Sequence, residues 1–138
     1  GTSTGTGKFL KEKKPGVKLL CADPYGSIIH DVFTNGKQTQ PAGSYKVEGI
    51  GEDFIPKNFD LPLLDGVVQV TDQESLAMAR ALLQEEGLFV GTSCGTAVAG
   101  ALKWARAQGA AAKGMNILCV LADSGDRYMS KLWNDVWM

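Results

Sequence analysis

Short apolar runs alternate along this chain with stretches of helical spacing, and that alternation limits the folds open to it. VKLLCAD at 17–23, VVQVT at 67–71, LFV at 88–90 and NILCVLAD at 116–123 read as buried strands. Runs without polar alternation suit strands covered on both faces, and strands separated by helices become parallel neighbours through crossovers. The expectation is an α/β fold, a parallel sheet layered with helices.

The helices between these runs are marked by their ends. One is expected from Thr4 to Lys14, stopping before Pro15-Gly16. Thr71-Asp72-Gln73-Glu74 has the form of a capping box, opening a helix that carries Leu76, Ala79 and Leu83 and stops at Gly87. The small residues after GTSCGT predict a closely packed helix from Gly95 to Ala107. Residues 25–66 hold too many glycines and prolines for long elements and predict ordered loops with short helical pieces. The last stretch, DSGDRYMSKLWNDVWM, reads as a loop and a helical tail.

The opening, GTSTGTGKFLKEK, could cradle a phosphate, because glycines allow close approach and a following helix points free N–H groups at a bound anion. Two phosphate motifs fail on spacing. Five residues separate Gly1 from Gly7, and Phe9 stands where a nucleoside-triphosphate loop needs a hydroxyl. A dinucleotide fingerprint lacks its third glycine, since Leu10 occupies that place. Asp23, ending the first strand, would suit a ribose-binding acid and keeps a nucleotide-binding module open as an alternative. On the residues alone, a structural turn is as good a reading as a phosphate site.

Composition narrows the partners. With 138 residues, 44% of them hydrophobic, there is enough chain for one domain with a core. The 14 basic and 15 acidic residues are balanced, which gives no electrostatic argument for nucleic acid or an anionic membrane, and a small neutral or zwitterionic ligand is the better expectation. Cys21, Cys94 and Cys119 lack metal-ligand spacing and fit a reducing, cytoplasmic setting. No apolar stretch approaches the length needed to span a bilayer, and a soluble protein is expected.

Four blocks in fixed order carry more than any of these signals: GTSTGTGKFLKEK, VEGIGEDFIP at 47–56, GTSCGTAVAGAL at 91–102 and DSGDRYMSKLWNDVWM at 123–138. Together they resemble the fold-type II pyridoxal-phosphate enzymes, the tryptophan synthase β-like fold, and within them the cystathionine β-synthase and cysteine synthase branch. The resemblance implies that residues 1–138 are the C-terminal part of the catalytic domain, with Gly1 and Thr2 the end of the phosphate loop. It implies pyridoxal 5'-phosphate as cofactor, small amino acid substrates and a homodimer. The Schiff-base lysine is expected in an N-terminal half outside these residues, so that no catalytic residue is assigned here and the fragment alone is expected to be inactive.

The same resemblance places Ser93 against the pyridine nitrogen of the cofactor and Gly49, Ile50, Gly51 and Glu52 beside the substrate. The reaction implied is β-replacement on serine or O-acetylserine by homocysteine, giving cystathionine. Replacement by sulfide, giving cysteine, is the alternative, and a partner-binding module without catalysis is another. Glu52-Asp53 and the tail SKLWNDVWM favour homocysteine. By spacing alone Ser93 could instead cap the following helix, and Glu52 could be a solvated surface charge. Asp123 and Ser124 end a strand where α/β ligands gather and could support the site. His30 reads as structural, and Trp104, Trp133 and Trp137 read as core or dimer contacts.

Overall fold

In the computed structural model, which describes residues 1–138, β1 (Leu20–Pro24) and β2 (Gly66–Val70) lie side by side as parallel strands. Their register runs from Leu20 opposite Gly66 to Pro24 opposite Val70. α1 (Thr2–Lys13) precedes β1, α2 (Ile29–Asn35) follows it, and α3 (Asp72–Glu86) and α4 (Thr92–Gln108) follow β2. Short 3₁₀ turns occupy Leu61–Leu63, Gly109–Ala112 and Gly125–Tyr128. The parallel pair and its helical layers agree with the α/β expectation.

The small residues of α4 let it press on two neighbours. A Cβ at Gly100 would stand 2.8 Å from the Ala22 Cβ on β1, so this helix meets the sheet almost at its backbone. At Gly95 a Cβ would collide with the Ser75 carbonyl oxygen of α3. Between α3, α4 and the tail lies the main core of Leu76, Ala79, Leu82, Val90, Cys94, Tyr128 and Leu132. The tail is held there by Arg80, whose Nε donates to the Leu132 carbonyl at 2.9 Å and whose Nη1 pairs with Asp135 at 2.7 Å. Trp133 packs against this core beside Phe89, with ring centroids 5.0 Å apart.

α3 starts as its sequence dictates. The Thr71 Oγ1 accepts the Glu74 N–H at 3.1 Å, and Glu74 Oε2 accepts the Thr71 N–H at 2.7 Å. Gly87 closes the helix in a left-handed conformation. Removing the hydroxyl in Thr71→Ala is expected to cost about 1 kcal/mol of stability. The Glu74 carboxyl is held below its ordinary range, first by the Thr71 N–H and then by Lys103. A carboxyl lowered in the folded state adds stability above its unfolded pKa and loses it as pH falls through the folded value. Melting curves of the full-length protein should therefore lose stability into acid, and Glu74→Gln should flatten that acid-side slope; an unchanged slope would show that the box contributes nothing to it.

Two expected strands do not form. LFV contributes only an isolated antiparallel bridge between Val90 and Ser124, closed by Gly91 N–H to the Asp123 carbonyl and Gly125 N–H to the Phe89 carbonyl. NILCVLAD makes no ladder, and Leu118 is 83% exposed. Its run has the composition of a strand covered on both faces, but within this chain no strand edge pairs with it. The helix starts also moved: α1 begins at Thr2 instead of Thr4 and α4 at Thr92 instead of Gly95. The tail turns in 3₁₀ and turn conformations and forms no α-helix.

Candidate active site

The carboxyl ends of β1 and β2 and the N-termini of α3 and α4 open onto one region, where ligands of parallel α/β sheets gather. The 46–52 segment crosses it. Asp72, in the first turn of α3, accepts the N–H groups of Lys46 at 2.8 Å and Val47 at 3.1 Å. Thr92, first in α4, accepts the Glu48 N–H at 3.0 Å, and Ser27, just beyond β1, accepts the Glu52 N–H at 3.1 Å. Gly49-Ile50-Gly51 makes no hydrogen bond between these posts. Gly49 and Gly51 both take positive φ, +80° and +75°, and a Cβ at Gly51 would stand 2.6 Å from the Tyr45 hydroxyl oxygen and 2.7 Å from Pro24 Cγ. Glycine is needed at Gly51 for space as well as for conformation.

Ser93 is the second residue of α4 and only 8% exposed. It does not cap the helix: the N-cap is Gly91, in extended conformation. Thr92 receives Glu48 N–H, and Thr96 bonds Ser75, whereas the Ser93 hydroxyl has no partner within the chain. A hydroxyl at a helix N-terminus, unspent on its own fold, can bond one atom of a guest. Behind it, Tyr128 donates to Asp123 Oδ2 at 2.6 Å, and burial together with that bond pushes the phenol up to about 12. A Cβ at Gly91 would strike Asp123, so the α4 N-terminus is fixed against the end of the 116–123 run. Asp123 thus supports the helix start, while the exposed Ser124 contributes the backbone bridge to Val90.

Gly1 and Thr2 stand at the N-terminus of α1, whose first turn has no acidic residue and no side-chain cap. Its free N–H groups can take an anion. This end lies near Asn58, on a groove of about 700 Å³ lined also by Thr4, Lys8 and Lys57. No hydrogen bond joins Gly1 or Thr2 to Ser93 or the 49–52 loop.

Asp23 is not a ribose acid. It is 1% exposed, its Oδ2 accepts the His30 N–H at 3.0 Å, and the glycine-rich segment precedes β1 instead of following it. The nucleotide-binding alternative fails on that geometry. The His30 backbone N–H seats the first turn of α2 on Asp23. Burial, then the nearby Asp23, pushes the Cys21 thiol up to about 12 and disfavours its thiolate. No group of His, Cys, Asp and Glu side chains has the arrangement to hold a metal ion.

The family model for pyridoxal-phosphate dependent enzymes matches residues 1–123. The chain belongs to that family. Within it, the chain falls among the fold-type II cystathionine β-synthases and cysteine synthases. It is 43% identical to mouse (Mus musculus) cystathionine β-synthase over 138 residues, all of this chain and 24% of that protein. It is 40% identical over 131 residues to the O-acetylserine dependent cystathionine β-synthase of Bacillus subtilis, covering 95% of this chain and 39% of that one. Cysteine synthase A of Escherichia coli K12 is 39% identical over 132 residues, 94% of this chain and 40% of that protein. The crystal structure of the O-acetylserine dependent cystathionine β-synthase from Helicobacter pylori superposes with a TM-score of 0.76 at 37% identity, over 94% of this chain and 39% of that one. The chain therefore spans between 24% and 40% of the length of these relatives.

Thr92, Asp72 and Ser27, which fix the loop, were not apparent from the sequence. Each is a common helix-start or turn residue, and only the position of Thr92 beside Ser93 hinted at a role.

Proposed function

We propose that this chain is part of a pyridoxal-phosphate enzyme that replaces the β-substituent of serine or O-acetylserine with the thiol of homocysteine. The observation that carries the reading is the unpartnered Ser93 hydroxyl, on a residue only 8% exposed and next to the Thr92 that holds the Gly49–Glu52 loop. The residues present fit the cofactor. When bound, pyridoxal 5'-phosphate supplies an electron-accepting ring at which the amino acid loses its α-proton and β-leaving group.

Each residue then has a defined task. The Ser93 O–H would hold the cofactor at its pyridine nitrogen, where a hydroxyl, unlike a carboxylate, would leave that nitrogen without a proton. Gly1, Thr2 and the free N–H groups of α1 receive the phosphate. Gly49-Ile50-Gly51, with its flanks fixed by Asp72, Thr92 and Ser27, would cover the substrate and exclude water. Glu52 attracts the ammonium group of the incoming amino acid thiol, a group that sulfide lacks. The lysine that bonds the cofactor and moves the α-proton belongs, in this reading, to the part of the protein outside these residues.

The test is competition between homocysteine and sulfide for O-acetylserine in the full-length protein. Cystathionine should predominate at equal thiol concentrations. Glu52→Gln should weaken homocysteine use by up to about fivefold, the worth of one partly solvated ion pair, and leave sulfide use nearly unchanged. Predominant cysteine formation by the wild-type protein would assign sulfide as the acceptor.

A further inference from the structure

Beyond the backbone holds of Asp72, Thr92 and Ser27, the 46–52 segment is tied to the tail of the chain. Glu48 Oε1 accepts from Lys131 Nζ at 2.7 Å, across 83 residues of sequence. No other hydrogen bond or ion pair joins residues 124–138 to residues 46–52. Both ends of the pair stand on fixed backbone. Lys131 lies between Tyr128 and Leu132, which are 6% and 0% exposed; its N–H donates to the Tyr128 carbonyl at 3.1 Å, and Arg80 holds the Leu132 carbonyl. Glu48 follows the buried Val47, and its own N–H is on Thr92. Tyr128 connects the two ends: its hydroxyl donates to Asp123, and a Cβ at Gly91, the residue before Thr92, would strike both Tyr128 and Asp123. Thr92 and Lys131 therefore belong to one packed unit of tail and α4 start, which grips Glu48 by main chain and by side chain.

The grip falls beside the part of the loop that has room. A Cβ at Gly49 would meet nothing within 4 Å, whereas one at Gly51 would run into Pro24 and Tyr45. The Gly51 end is seated by that packing and by the bonds of Glu52 to Ser27 and to the Ile28 N–H. The Gly49 end depends on Glu48. Exposed ion pairs add little to stability, because solvent screens them and two long side chains lose freedom, and the side chains of Lys131 and Glu48 are 48% and 47% exposed. A small energy is nonetheless enough to shift the balance between two positions of a loop, provided that it acts in one position and not the other.

We propose that Lys131 is a positioning residue: its ammonium group holds Glu48, and with it the Gly49 end of the Gly49-Ile50-Gly51 cover, over the substrate, so that the packing of the tail sets how readily the loop closes. Lys131 itself touches no substrate. This inference rests on the reading of residues 49–51 as the substrate cover.

The experiment uses the full-length holoenzyme. Lys131→Met, neutral and of similar length, should raise the O-acetylserine KM by about two- to fivefold, the worth of one exposed ion pair, with a smaller change in kcat. Lys131→Glu and Glu48→Lys each set like charges together and should raise KM at least as far. The double variant restores the pair with its charges exchanged, and its KM should return to within about 1.5-fold of wild type. A pair that serves stability alone would instead move the melting temperature and leave KM where it was. Single variants with wild-type KM, or a double variant no better than the worse single, would overturn the proposal. Amide hydrogen exchange at Ile50 separates this failure from failure of the cover: adding O-acetylserine without thiol should slow it in the wild-type protein. If it slows while Lys131→Met leaves KM unchanged, the cover stands and Lys131 does not position it. If it does not slow, the cover reading falls and the role of Lys131 falls with it.

Discussion

Gly95→Ala is expected to destabilise the full-length protein by about 1–2 kcal/mol, even though alanine is the better helix former. The intrinsic gain of alanine over glycine inside a helix is about 1 kcal/mol. Against it stands a steric conflict with backbone: the added Cβ would overlap the Ser75 carbonyl oxygen and lie 2.8 Å from the Ala79 nitrogen. Those atoms are part of α3 and cannot swing aside as a side chain can, so the helices must separate. Overpacking of a close contact costs about 1–3 kcal/mol and more where backbone must move. Separation would also strain the buried bond from Thr96 Oγ1 to Ser75 Oγ, 2.9 Å, which registers the two helices. Gly5→Ala is the control, because it lies within α1 with nothing within 4 Å of the new Cβ, and it should gain about 1 kcal/mol. Melting curves of both variants test the difference. A Gly95→Ala protein that melts at or above wild type would show that α3 and α4 are not in backbone contact.

Legibility in the sequence followed the range of the forces involved. Thr71 to Glu74 and Gly87 were readable because capping is decided within a few residues, and α3 starts and stops where they require. VVQVT and VKLLCAD became strands, shifted by a residue or more, because each found the other as a parallel neighbour. NILCVLAD has an equally strong apolar run and forms no ladder, since a strand also needs an edge to pair with and composition cannot supply one. Ser93 shows the same division. Its residue type and spacing suited a helix cap, and only the full GTSCGT block pointed elsewhere. The structure starts α4 before it, at Gly91, which removes the capping alternative. The posts of the 46–52 loop were invisible for a different reason: Asp72, Thr92 and Ser27 lie 25 or more residues from the amides they hold, and no local pattern records such a bond.

Substitutions at Ser93 should separate stability from turnover. Because Ser93 is inside the first turn of α4 and not its cap, Ser93→Ala removes no capping bond, and in Ser93→Asp the positive end of the helix dipole offsets the cost of a carboxylate at a site only 8% exposed. Both variants of the full-length protein should therefore melt near wild type. Their turnover should not stay near wild type. Alanine deletes one hydrogen bond to a neutral ring nitrogen, worth about 0.5–1.5 kcal/mol, or about two- to tenfold in turnover or cofactor retention. Aspartate does something different: an opposite charge in contact raises the nitrogen's pKa by about 1–3 units, favouring the protonated ring. A protonated ring accepts electrons more strongly, stabilises charge at the substrate α-carbon, and slows departure of the β-substituent while allowing protonation at the wrong carbon. Turnover of Ser93→Asp should then fall by about tenfold or more, below that of Ser93→Ala, with a changed absorbance spectrum of the bound cofactor. A purely structural Ser93 predicts the reverse, variants whose melting changes while turnover and spectrum stay at wild type. An aspartate variant that turns over like wild type with an unaltered cofactor spectrum would remove Ser93 from the active site.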